Sequence, residues 1–332
     1  MILKTAKPNY KQPQPEQFIV QATDVTSGEM YRYPDEREEP VLRGISFDIR
    51  IGECWGIVDN EPFELELLLQ IIANVRPYAS GRCSLAEQGM MRRKRRILPH
   101  VFFIYGGDTV PGNLNTLEYL MYVTAHRGIP DRKRQATILQ ALLDSGLYYL
   151  TLVPMKQLTM AERAAICLLS AAMSKALLVV FSVAELSFPP QLAQGIRYVV
   201  ELIKKRGGAV LIGARDCGFI QTACTHAAFM VGGEFRKSGR VDVMLKTLDQ
   251  RAFILTSETP VKLEEAIHIA SPNLQTYRFD NEVHIYVRNG EAISQTKLMH
   301  ILLDAGVTLD TIQTSKPTLE NAYREVLAGH VI

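Results

Sequence analysis

Four carboxylates crowd one short stretch of this 332-residue chain: Asp59, Glu61, Glu64 and Glu66. The stretch separates an all-apolar run suited to a central strand, Cys54–Val58, from a segment with helical spacing, 65–74. A turn between a strand and a helix is a place where backbone N–H groups can converge on an anion. That chemistry needs glycines, so that successive N–H groups point inward, and a cation to meet the charge. This turn has neither, and Pro62 has no N–H to donate. Two like charges about 4 Å apart repel by roughly 4 kcal/mol at an effective dielectric near 20. The residues here reject a polyphosphate.

Other chemistry-bearing groups are sparse. The seven histidines form no spaced cluster, which argues against a metal site. The five cysteines, Cys54, Cys83, Cys167, Cys217 and Cys224, are scattered through apolar runs without a CxxC pair. Buried thiols in a reducing compartment are the expectation. Glu185 stands alone after an apolar strand and reads as structural. The run Arg92–Arg96 reads as a solvated loop ahead of the next strand. With 37 basic against 35 acidic residues the formal charge is +2, too small to recruit nucleic acid or a membrane surface. No 18-residue apolar run occurs, so no spanning helix is expected, and residues 1–17 read as a disordered Pro/Gln-rich tail.

The elements that would position these groups alternate. Strands are predicted at 18–22, 40–50, 54–58, 101–105, 176–181 and 208–213, with helices at 65–74, 161–174 and 191–205 and helical segments over 117–150. That rhythm indicates an α/β fold with parallel strands. Beyond about residue 250, strands near 251–255, 283–287 and 307–313 and helices at 261–269, 294–305 and 318–327 suggest a small α+β domain.

The segment VLRGISFDIRIGECWGIVDN at 41–60, with the helix containing Leu67–Asn74 and the turn Ser80-Gly81, resembles the opening of ABC transporter ATPase domains. The resemblance implies a P-loop NTPase-like mixed sheet with a helical subdomain over about 110–160, the whole covering 18–248. A C-terminal α+β accessory domain follows over 249–332. In the family the strand is followed by a phosphate loop, GxxxxGK[ST]. Laid on it, Asp59, Asn60, Glu61, Pro62, Phe63, Glu64, Leu65, Glu66 and Leu67 occupy the loop positions and the residue beyond. Leu65 stands at the lysine and Glu66 at the magnesium-ligating Ser or Thr. The signature maps to Leu158, Thr159, Met160, Ala161 and Glu162, with Met160 and Ala161 in place of glycines. The Walker B Asp-Glu maps to Val180 and Phe181, the switch histidine to Arg215, and the Q-loop glutamine to Gly106, with His100 the weaker candidate.

These positions are therefore vestigial. The resemblance implies no catalytic residue, no nucleotide site and no bound metal, because lysine, metal ligands and general base are absent together. Losing one transition-state donor alone costs roughly 100- to 1000-fold. The stretches Asp304–Ile312 and Lys316–Leu327 resemble the C-terminal appendage of drug-, antibiotic- and lipid-exporter ATPases. The implied role is a pseudo-ATPase subunit, cytoplasmic and peripheral on the inner face of the membrane. Its partners would be a permease and a second, active ABC ATPase, or a second copy in a homodimer. Leu158–Glu162 would supply either the partner interface or a helix cap. The rival readings are an active ABC ATPase that binds ATP and magnesium, and a soluble interaction or regulatory module.

Overall fold

Apolar strands set between helices need cover on both faces, and the first unit of the chain, Met1–Gly239, is built to give it. The computed structural model describes residues 17–34, 36–90, 97–105, 111–125, 131–174, 176–247, 252–271, 274–286, 294–315 and 318–327. The tail up to residue 16, the run Arg92–Arg96, Gly106 and Lys316 lie outside the described residues, as does the expected domain boundary at 248/249.

In chain order the strands of this unit are β1 (Phe18–Thr26), β2 (Met30–Arg32), β3 (Glu38–Pro40), β4 (Ile45–Arg50) and β5 (Cys54–Val58). After helix α1 (Pro62–Ile72) come β6 (Ser80–Leu85), β7 (Gln88–Gly89) and β8 (Val101–Tyr105). A helical stretch holds α2 (Thr116–Thr124), α3 (Asp131–Asp144) and α4 (Met160–Ala172). The unit then runs β9 (Leu178–Ser182), α5 (Pro190–Lys205), β10 (Ala209–Ala214), α6 (Cys217–Ala223), β11 (His226–Val231) and β12 (Glu234–Arg240).

The central sheet has the order β12-β11-β5-β10-β9-β8, with parallel pairing from β11 through β8. All residues of β5, β9 and β10 are buried. This is why those strands read as unbroken apolar runs rather than alternating ones. Helix α1 packs on β9 and β10, and α6 on β5 and β10. A second, antiparallel sheet, β4-β1-β6-β7, shares a core with α1 through Ile19, Val20, Ile45, Ile49 and Leu68. The expected strand at 40–50 is two pieces, because residues 41–44 turn at Gly44 (φ +60°). Strands β6, β11 and β12 and helix α6 were not anticipated by periodicity.

Two of the three helices in the helical stretch begin with reciprocal caps. Asn115 and Glu118 cap α2, and Thr159 and Glu162 cap α4. All five cysteines are buried. Cys54 and Cys224 lie with their sulfurs 3.5 Å apart, and burial pushes the Cys224 thiol well up.

The second unit, Arg240–Ile332, starts with α7 (Val241–Thr247). It continues with β13 (Ala252–Thr256), α8 (Pro260–Ala270), β14 (Gln275–Phe279), β15 (Glu282–Tyr286), α9 (Gln295–Asp304), β16 (Thr311–Ser315) and α10 (Leu319–Leu327). Its antiparallel sheet, ordered β14-β15-β13-β16, packs Phe253, Leu255, Val283 and Ile285 against Leu263, Ile267, Leu298 and Leu302. The last strand lies later than expected from sequence, because Val307–Asp310 forms the approach to it.

The turn joining β11 to β12 is tied to the rest by Gly233. Its φ is +74°, and a Cβ there would lie 1.8 Å from the Val41 carbonyl oxygen. The substitution Gly233→Ala is therefore expected to cost about 3 kcal/mol or more, from overpacking plus the left-handed strain. Gly28→Ala, where a Cβ meets nothing within 4 Å, is the matched control. Thermal melts of the two variants check this; equal melting temperatures would refute it.

Candidate functional site

Helix α1 begins at Pro62, so only Asp59, Asn60 and Glu61 separate it from β5. Glu61 is the N-cap residue and offers no side-chain cap. The Glu61 N–H is taken by Asp59 Oδ1 at 3.0 Å, and the Leu65 N–H donates to the Glu61 carbonyl at 3.2 Å. The later half of what would be a loop is thus the first turn of the helix. Of its N–H groups, those of Glu61 and Leu65 are already committed, and Pro62 has none.

Two carboxyl groups fill this corner. Asp59 and Glu64 are 2% and 3% exposed. Glu64 Oε2 accepts from the Gly233 N–H at 2.6 Å and Glu64 Oε1 from the Tyr31 hydroxyl at 3.1 Å. Asp59 Oδ2 has no donor among the described residues. Burial first, and then the neighbouring charges of Glu64 and Glu61, push the Asp59 carboxyl up to about 8. That rise favours the protonated form at neutral pH. Burial, with Glu64 beside it, likewise pushes the Tyr31 hydroxyl up. Tyr31 is thereby engaged by the carboxylate, while Tyr33 carries Arg37 over its ring at 5.6 Å.

Leu65 is 0% exposed and points at the sheet. A Cβ on Gly213 of β10 would lie 3.1 Å from Leu65 Cδ1 and 2.4 Å from Leu69 Cδ1, so bare backbone lets α1 sit down on the strand. Glu66 is half-buried and receives the Gln70 amide, Leu67 is buried, and Asn60 and Phe63 are exposed. Val180 and Phe181 lie inside β9, both fully buried, and Phe181 stacks on Phe188 at 6.3 Å. Ser182 is the residue at the strand's carboxyl end. Arg215 is exposed just past β10, next to Asp216, which caps α6. His100 precedes β8, at the end of the strand away from Tyr105, and so stands apart from the other site positions.

The segment Leu158–Glu162 is committed to starting α4. Thr159 Oγ1 accepts from the Glu162 N–H at 3.2 Å, and Glu162 Oε2 accepts from the Thr159 N–H at 2.9 Å. Leu158 is buried, Ala161 half-buried and Met160 49% exposed. Met160 joins Glu66, Tyr105, Ser182 and Glu185 around a solvent-open cleft. Periodicity could not reveal that cleft, because its residues come from four separate elements.

The strand order, the helix after β5 and the helical stretch between β8 and β9 match a known architecture. One similar solved structure is an ATP-binding subunit of an ABC transporter, with TM-score 0.57 and 13% identity, covering 69% of this chain and 92% of the other. The chain has the fold of an ABC ATPase cassette. Also similar are cbiO1 from Clostridium perfringens, part of the ABC transporter complex cbiONQ (TM-score 0.55, 14% identity, 77% of this chain and 97% of that one), and a bacterial ABC transporter cassette solved as a dimer (TM-score 0.56, 14% identity, 67% and 98%). No protein-family model matches the sequence, and no curated protein matches it. The corner after β5 carries the positions laid on the phosphate loop from sequence, and Asp59 and Glu64 are buried in it.

The Asp59 proton makes stability depend on pH. In the unfolded chain that proton leaves near pH 4, whereas in the folded chain it stays to about pH 8. Between those values the folded state binds the extra proton, so stability is full below about pH 4 and falls as pH rises toward 8. Asp59→Asn keeps an acceptor for the Glu61 N–H and removes the titrating carboxyl. It is expected to raise the melting temperature by about 4–8 °C at pH 8, for a gain of roughly 2 kcal/mol, and by much less at pH 5. Melts across that range check the sign; a variant gaining more at pH 5 would contradict the assignment.

Proposed function

We propose that this chain is a pseudo-ATPase cassette subunit of a membrane export complex, which neither binds nor hydrolyses ATP and serves by pairing and docking. The observation that carries the reading is the corner at α1: Leu65 sits fully buried at the aligned lysine position, and the Asp59–Glu64 pair occupies the turn where phosphate oxygens would need donors. Glu66 in place of a hydroxyl ligand and the apolar pair Val180 and Phe181 remove the positions for magnesium and for a general base in this alignment. The reading implies no ATP and no magnesium on this chain.

A cassette without catalysis can still act as a scaffold. The helical stretch exposes Tyr122 (66%), Leu152 (74%) and Tyr149 (57%), side chains suited to an apolar partner such as a permease loop. Met160, exposed at the start of α4, suits contact with a second cassette, either an active ATPase or another copy. Among the described residues no helix is long and apolar enough to cross a membrane, so membrane attachment on the inner face would run through the permease. The assignment to export rests on the resemblance of Asp304–Ile312 and Lys316–Leu327 to exporter appendages.

Calorimetry of the purified chain with ATP and magnesium up to millimolar concentration is expected to show no binding. Micromolar, magnesium-dependent binding would overturn the proposal and restore the active-ATPase reading. Leu65→Lys alone is expected to leave ATP unbound and to destabilise the fold by about 3–5 kcal/mol, because the ammonium enters a dry site against β10. A variant that melts like the parent and binds ATP would show that the corner opens.

A further inference from the structure

The cleft at the carboxyl ends of β8 and β9 has a polarity of its own. Its charged groups are Glu66 and Glu185, and no lysine, arginine or histidine lines it among the described residues. Glu185 is exposed and makes no hydrogen bond or ion pair among the described residues, while Glu66 has an oxygen on Gln70. Beneath them lies Ser182, 3% exposed. Along β9, Leu178 and Val180 face the core shared with α1, so alternation places the Ser182 side chain on that face as well. Its hydroxyl has no hydrogen-bond partner among the described residues. Ser182 lines the cleft, where an incoming donor can reach it. The remaining wall is apolar, with Val183, Leu186 and the half-exposed Met160.

We infer that this cleft binds an alkyl cation, an ammonium or guanidinium group on a short methylene stem. The stem lies along Met160, Val183 and Leu186, the cation meets Glu66 and Glu185, and the Ser182 hydroxyl accepts a hydrogen bond from it. Such a group comes either from a free small amine or from a lysine or arginine side chain of a partner polypeptide. The inference rests on the reading that the chain holds no magnesium nucleotide, since a nucleotide would claim the same end of the sheet.

The test is ligand-observed NMR and thermal shift on the full chain with agmatine, capped arginine (N-acetyl-arginine-methylamide) and neutral n-butanol. Agmatine is expected to bind with a dissociation constant of about 0.1–1 mM. The double variant Glu66→Gln/Glu185→Gln is expected to weaken it at least fivefold, Ser182→Ala less, and n-butanol is expected not to bind. Binding of both cations supports the site and assigns it to a partner side chain; binding of agmatine alone supports it and assigns it to a free amine. Absence of binding by either, or equal binding by the Glu66→Gln/Glu185→Gln variant, overturns the inference. Should that double variant not fold, Glu185→Gln alone carries the same comparison. Magnesium ATP is run in parallel: if it binds, the pseudo-ATPase reading fails as well, whereas loss of the cation effect without ATP binding leaves that reading in place.

Discussion

Helix α1 lying directly on the parallel sheet is the contact from which the rest of the first unit follows. Leu65 and Leu69 pack where Gly213 leaves β10 without a side chain, so helix and strand approach more closely than ordinary Cβ atoms allow. The helix therefore starts early, at Pro62, and takes up the first residues of the turn after β5. Leu65 spends its side chain on that packing.

Electrostatics completes what packing began. Asp59 and Glu64 are as buried as core residues, and isolated charges there would be expensive. They are tolerated because the Gly233 N–H, the Tyr31 hydroxyl and the Glu61 N–H each donate to them, and because one proton stays on Asp59. The pair joins three segments distant in sequence: the β2 strand, the turn after β5 and the β11–β12 turn. The corner is a structural joint.

A second consequence concerns the opposite face of the same helix start. Glu66 leaves the buried corner and looks toward the carboxyl ends of β8 and β9, where Ser182 and Glu185 are found. Two carboxylates meet there beside an apolar wall, a surface whose complement is a cation.

The sequence by itself determined a good deal. Apolar runs of five or six residues at 54–58, 176–181 and 208–213 could only be strands covered on both faces, since polar alternation was missing and burial demands it. The type and place of α1, α4 and α5 were legible from residue types at fixed spacing. Only the tertiary structure decided the rest. Strand order, the early start of α1 and the sharing of Glu64 between Tyr31 and Gly233 depend on groups 33 and 169 residues apart in sequence, which no local pattern encodes. Likewise, Val180 and Phe181 lie inside β9 and Ser182 at its mouth, because the end of a strand is set by where its neighbours stop pairing. Local patterns set the type of each element; long-range packing chose the partners of its side chains.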